Sequence, residues 1–247
     1  MKDLDIKILI ISRSRYDSIL GNTCALLPEF IEVLVPVSEK EKYEAAIPNP
    51  ILTVPDEVEG LGQLRNWILD NFEEETVIMI DDDINKCYCL TGYRTRSIKD
   101  PEEVLQIIIN AAVMCKDAGL HCFGFSQTDI RKYNGTEPFK LNGWVGCVIG
   151  VIGRRYRFRN DKFKVDFDFC LQNILVDRCV WIDGRYTFAQ KRDTNLGGNA
   201  KFRTEDEYNA SLESLLEKWG DALSFRKHKG QVRLAVKVQR RQKIDYE

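Results

Sequence analysis

Residues 77 to 86 read VIMIDDDINK, four apolar side chains running straight into Asp81, Asp82 and Asp83. Three adjacent ionised carboxylates repel one another, and side chains two apart on a strand share a face, roughly 7 Å from each other. Asp81 and Asp83 therefore call for something positive between them. Asp82 points the other way, and its removal should be the best tolerated of the three unless it holds a basic side chain in place. Oxygen-only ligands suit a hard cation, Mg²⁺ or Mn²⁺. A solvated strand end is the plainer reading, but the switch from apolar to acidic is sharper than a turn requires. A hydrolytic metal centre would call for further acids or a histidine base, and the chain holds only His121 and His228.

Other stretches carry chemistry of their own. Ser12-Arg13-Ser14-Arg15 leaves the first apolar run with two guanidiniums and two hydroxyls, suited to phosphate or a base edge and equally to an exposed basic turn. Glu39 and Tyr43 follow the second run and could flank a base. Asp166, in FKVDFDFCLQ, could cap a helix or act as a general base, and both readings stand. Gly197-Gly198, in TFAQKRDTNLGGN, could bring backbone N–H groups to a phosphate or simply turn the chain. In GRRYRFRNDKFK, Arg155, Arg157 and Arg159 alternate with Tyr156 and Phe158. That is the makeup of a nucleic-acid groove, or of an edge strand with solubilising arginines.

These residues need a scaffold, and the chain spells out an α/β one. Apolar runs at 6–12, 32–38, 51–55 and 76–80 read as strands buried on both faces, with a helix over 62–72 between the last two. Asp100-Pro101-Glu102-Glu103 opens a second helix to about Ala118, ended by Gly119. Strands over 121–126, 144–153 and 180–190, helices over 167–176 and 205–223, and an alternating strand over 231–239 complete the reading. The carboxyl end of a buried strand, where the three acids stand, is where α/β sheets bind ligands.

At 247 residues with 44% hydrophobic and 30% charged side chains, the composition is that of a folded globular chain. Net charge is −2, yet residues 226–247 hold 8 basic and 2 acidic groups, leaving +6 there against −8 elsewhere. Arg226, Lys227, Lys229, Arg233 and Lys237 make that end a candidate polyanion surface. Eight cysteines, with no CxxC spacing, read as reduced core thiols rather than a zinc site. The start, MKDLDIKILIIS, fits neither a signal peptide nor a spanning helix, so a cytosolic protein with no membrane partner is expected.

The apolar strand with DxD, preceded by GLGQLRNWIL at 60–69, resembles the GT-A glycosyltransferases over roughly residues 6 to 200. The resemblance implies a mostly parallel sheet sandwiched by helices, here with a basic C-terminal helix and strand over 201–247. It implies a nucleotide sugar held by Ser12, Arg13, Arg15, Glu39, Arg65, Asn66, Asp81, Asp82, Gly197 and Gly198, and a divalent ion on Asp81 and Asp83. Such enzymes often carry an acidic pair at a helix start, which maps to Asp166 and Asp168, although Val165 stands where the first acid is usual. The order of ISRSR, VPVSEKEKY, GLGQLRNWIL, IMIDDDI, VDFDFCLQ and GGN is similar to that of the glycosyltransferases of phage DNA hypermodification and base J. That implies transfer from a UDP-sugar to the hydroxymethyl group of a modified pyrimidine in double-stranded DNA, with the arginines at 155, 157 and 159 and the basic tail on the DNA. A GT-A enzyme with a small-molecule, protein or glycan acceptor, or a silent binding module, are the alternatives. A sugar-phosphate nucleotidyltransferase would need a glycine-rich basic loop where SRSRYDS stands.

Overall fold

A computed structural model describes residues 5–91, 94–126, 138–161, 163–190, 205–228 and 231–237, without the side chains at 90, 91, 205, 207, 208, 225–228 and 231–235. The strands are β1 (Ile6–Ile11), β2 (Glu32–Pro36), β3 (Ile51–Val54), β4 (Thr76–Asp81), β5 (Ile84–Thr91), β6 (Arg94–Ile98), β7 (Cys122–Ser126), β8 (Phe139–Lys140), β9 (Val148–Ile152), β10 (Trp181–Gln190), β11 (Leu223–His228) and β12 (Gln231–Val236). The helices are α1 (Thr23–Leu26), α2 (Lys40–Ala46), α3 (Leu61–Asn71), α4 (Pro101–Asp117), α5 (Val165–Val176) and α6 (Glu205–Trp219).

One large sheet runs β3-β2-β1-β4-β9-β7-β10-β5-β6, with β8 paired to β10. Alternation along the central strands sends each side chain to one of two cores. Ile8, Ile10, Ile78 and Ile80 pack with Tyr43 of α2 and Val104 and Ile108 of α4, whereas Leu9, Ile11, Val77 and Met79 pack with Ile68 of α3 and Phe169 of α5. Both faces are covered, which is why these strands are apolar without interruption. The expected α/β sandwich is present, but the sheet is mixed. β3, β2, β1 and β4 are parallel, whereas β9 is antiparallel to both β4 and β7.

The C-terminal stretch is a helix followed by a hairpin of β11 and β12, with Leu212, Leu215 and Trp219 of α6 in the same core as α3 and α5. The sequence reading had one strand there. The strand it lacked is β11, whose residues LSFRKH do not form the apolar run that signals a strand. The cysteines are all free and seven of the eight are buried. Burial pushes the thiols of Cys24, Cys87 and Cys115 up to about 12, so they are inert core groups. No helix among the described residues is long and apolar enough to cross a membrane.

Candidate active site at the carboxyl end of the fourth strand

Asp81 ends β4 and Ile84 begins β5, so the three acids form the link between two strands. The Asp81 amide donates to Cys147 O at 2.8 Å, and Thr23 Oγ1 donates to Asp81 O at 2.7 Å while accepting from the Ile84 amide at 3.0 Å. Main chain on either side of the link is therefore fixed before any ligand arrives. Asp81 and Asp83 lie on one side of it. Gln190 Nε2, at the end of β10, donates to Asp81 Oδ2 and to Asp83 Oδ1, both at 2.9 Å. Two carboxylate oxygens that share one donor at that distance are within about 6 Å of each other.

Asp82 turns away, as its place between the other two predicts, and its side chain is buried. It accepts from Ser12 Oγ, and from Arg15 Nη1 at 2.5 Å. Asp82 thus meets the exception in the sequence expectation: it holds a basic side chain, Arg15, in place, and its loss would take the nearest carboxylate from a nearly buried guanidinium. Asp82 does not face the site as a donor-binding group. Burial raises its pKa, opposed by Arg15 and Ser12. Burial likewise works against the Arg15 charge, but Asp82, Asp83 and Asp81 more than offset it.

The loop after β1 is pinned at every residue. Ser12 Oγ and Tyr43 Oη are 2.6 Å apart, and the Arg15 amide donates to Tyr43 Oη at 3.0 Å. Ser14 sits in the left-handed region at φ 57°, a conformation costing a non-glycine residue about 1 kcal/mol. Its amide and Oγ donate to the two oxygens of Glu39 at 2.6 and 2.8 Å, which holds it there. Glu39 and Tyr43 are therefore loop clamps. Arg13 Nη2 donates to Val58 O at 2.9 Å, and Arg15 reaches Asp83 at 3.3 Å.

Arg65 comes from α3, and GLG explains its reach. Gly60 opens the helix at φ 88°, and a Cβ on Gly62 would lie 2.0 Å from Arg159 O, so only glycine lets α3 approach that closely. Arg65 is 1% exposed, donates from Nη2 to Gly146 O at 3.3 Å and lies 3.8 Å from Asp81 Oδ1, while its Nε and Nη1 have no partner. Arg65 thus sets a buried positive charge beside Asp81, with two guanidinium nitrogens that no described residue satisfies. Asn66, expected at the same site, is elsewhere. Its amide accepts from the Phe158 amide at 2.9 Å and donates to Phe158 O at 2.8 Å, tying α3 to that segment.

Asp166 and Asp168, expected as a pair, are separated by the helix. Asp166 lies in the first turn of α5, half-buried, and Lys164 rather than Asp166 is the N-cap residue. Capping does not account for Asp166. Its charge reaches Asp81: burial pushes the Asp81 carboxyl up to about 7, Arg65 opposes this, and Asp83, Asp82 and Asp166 add to it. Asp168 is fully buried and accepts from Gln172 Nε2 at 2.7 Å, Lys218 Nζ at 2.8 Å and Trp219 Nε1 at 2.8 Å. It fastens α6 to α5 and has no surface for a substrate, so its catalytic assignment is corrected.

The arginine strip is also rearranged. Tyr156 and Phe158 are buried, with Phe158 stacked on Phe169 at 4.1 Å, so neither offers a face to a base. Arg155 pairs with Asp177 at 2.9 Å, Arg157 with Asp70 at 2.7 Å and Arg159 with Asp161 at 2.5 Å. Lys237 is exposed. Gly197, Gly198 and Lys229, and the side chains of Arg226, Lys227 and Arg233, lie outside the described residues.

Gln190 escaped the sequence reading, since nothing local marks it. The signal is structural: the β10–β5 register shifts between Ala189 and Gln190, bringing Gln190 opposite Ile84. Irregularities of that kind re-aim a side chain. Among the described residues no group of three or more His, Cys, Asp or Glu could hold a metal. Mg²⁺-like ions, however, typically take one or two protein carboxylates and complete their shell with water and substrate phosphate. Asp81 and Asp83, with Arg65 and Arg15 beside them for the phosphates, fit that division of ligands.

Solved structures share the architecture. Staphylococcus aureus TarS 1–349 in complex with UDP-GlcNAc matches with TM-score 0.50 at 14% identity, covering 87% of this chain and 66% of that one. A Pyrobaculum calidifontis mannosyltransferase, PcManGT, with GDP-Man and Mn²⁺ matches at TM-score 0.47 and 12% identity over 76% and 58% of the two chains. Mycobacterium tuberculosis glucosyl-3-phosphoglycerate synthase with Mn²⁺, UDP-glucose and phosphoglyceric acid matches at 0.46 and 11% over 90% and 83%. The chain spans less than two thirds of the TarS structures' own length. A likeness at such identity is one of fold. No curated protein sequence matches. The family model described as TET-Associated Glycosyltransferase matches residues 6–198, most of the chain, and the protein belongs to that family.

Proposed function

We propose that the protein transfers a sugar from a UDP-sugar to the hydroxymethyl group of a modified pyrimidine in double-stranded DNA, using Mn²⁺ or Mg²⁺. The observation that carries the reading is the convergence of Asp81 and Asp83 at the end of β4, with Arg65 unsatisfied beside them and Asp166 close enough to perturb Asp81. When bound, the cation supplies Lewis-acid neutralisation of the departing diphosphate. The chain supplies the rest. Arg65 and Arg15 contribute fixed positive potential from positions that cost no reorganisation during reaction. The clamped loop after β1 keeps Arg15 in register with the acids. Asp166 takes the proton of the attacking hydroxyl from its place in the first turn of α5. Belonging to the TET-associated family supports the DNA acceptor.

The experiment is release of UDP from UDP-glucose with Mn²⁺, and transfer onto duplex DNA containing 5-hydroxymethylcytosine. Asp83→Asn should lower both at least about 100-fold, the scale on which removal of a charge-stabilising group at a reaction centre is felt. Full turnover by Asp83→Asn would refute the metal assignment. One observation favours another acceptor: all three arginines of the 155–159 strip are paired with carboxylates and its aromatics are buried. That arrangement suits a small-molecule, protein or glycan acceptor. Binding of the full chain to duplex DNA that weakens steeply with salt supports the DNA reading, and its absence supports the other.

A further inference from the structure

Gln190 holds an unusual position, since one amide nitrogen satisfies both carboxylates that the proposed function assigns to a cation. An amide carries a donor and an acceptor on one planar group, and a half-turn about its last side-chain bond exchanges them. Facing two carboxylates, the nitrogen must point inward, as it does here. Facing a cation, that same nitrogen would be repelled, whereas the amide oxygen is a hard ligand of the kind that Mg²⁺ and Mn²⁺ accept.

We propose that Gln190 is a two-way residue of this site, bridging Asp81 and Asp83 through Nε2 when no cation is bound and presenting Oε1 as a third oxygen ligand when one is. This rests on the reading of Asp81 and Asp83 as the cation's carboxylates. Three features support it. The two contacts are equal, so Nε2 stands between the carboxylates rather than beside one of them. The register shift between Ala189 and Gln190 is where β10 departs from regular pairing with β5, and it falls at the residue that must be aimed. Gln190 is a side-chain amide already in contact with both carboxylates through Nε2, and its oxygen sits on the same planar group. Bridging also keeps the two carboxylates together in the free protein, so that the ligand geometry is preorganised.

The test is the affinity of the full chain for Mn²⁺, measured from free Mn²⁺ by electron paramagnetic resonance, alone and with UDP. Replacing a ligating oxygen by methyl or thioether should weaken binding about tenfold, so Gln190→Ala and Gln190→Met should each lose about that much. Gln190→Glu should bind Mn²⁺ more tightly than wild type while melting at a lower temperature without metal, because a third carboxylate then faces the other two. If Gln190 only plugs the site, Ala and Met would bind Mn²⁺ as well as or better than wild type, and the ligand role is overturned. If Gln190→Ala fails to fold, Gln190→Met and Gln190→Glu carry the same contrast. Wild-type protein that binds no Mn²⁺ with or without UDP would instead overturn the metal reading of the acids themselves.

Discussion

Asp81–Asp83 and Asp166–Asp168 are acidic stretches of equal length, and each divides its carboxylates between two jobs. On the strand-to-strand link the outer acids share a face and the middle one is buried on Ser12 and Arg15. On α5, residues two apart lie nearly opposite around the helix, so Asp166 stays half-buried with its charge acting on Asp81 while Asp168 is sealed among Gln172, Lys218 and Trp219. The local backbone, a two-residue turn between strands in one case and a helix of period 3.6 in the other, decides which acid is available. Each stretch joins one acid that fixes architecture to acids that face the site, and the fixing acid is recognised by the donors around it.

Four substitutions sharpen or break that comparison. Asp166→Asn should cut sugar transfer by about 10²–10⁴, the range of general-base loss, with a melting temperature within about 2 °C of wild type, since no described residue hydrogen-bonds its carboxylate. If transfer survives, Asp166 belongs with the architectural acids. Asp168→Ala should do the reverse. Removing one partner from a buried charge network costs about 3–5 kcal/mol, toward the lower end here because the Lys218 side chain is 48% exposed. For a chain of this size a calorimetric scan should show a fall of roughly 6–12 °C, with near-normal turnover in the folded fraction. Asp82→Ala should cost about 2–3 kcal/mol, and also raise KM for the donor because Arg15 loses its seat. A normal KM would mean that Arg15 needs no positioning. The smallest effect belongs to the strip: Arg157→Gln should change the salt slope of DNA binding by no more than about one ion, and no change at all would place the DNA elsewhere.

Much of this was readable from the chain. The apolar strand ending in acids needs only local pattern, as does the Asp100 cap of α4, confirmed by its bond to the Glu102 amide at 3.1 Å, whereas the place of Arg65 beside the acids follows from the resemblance to GT-A glycosyltransferases. What was not readable depends on distant partners. Asp82 and Arg15 are 67 residues apart, and Gln190 and Asp83 are 107 apart. No local pattern reports such a meeting. Asn66 illustrates the converse: it sits next to Arg65 in sequence, but one helical step rotates it onto the backbone of Phe158. The mixed sheet was hidden for a similar reason, because β9 is apolar on both faces whichever way it runs.

The position of the acid link within the sheet order has a mechanical consequence. β4 and β5 are four places apart in the sheet, which in a flat array would separate them by roughly 19 Å at about 4.8 Å per step. Yet Asp82 and Asp83 alone join them, and three peptide units span at most roughly 11 Å. The sheet must therefore curl until its far side leans back over the end of β4, with the register slips along β10 providing the bend. The acid link is thus a short tether that limits how far the end of β4 can lie from the start of β5. Lengthening that link by a single residue would relax this limit on the distance between the ends of β4 and β5 even if every carboxylate were kept.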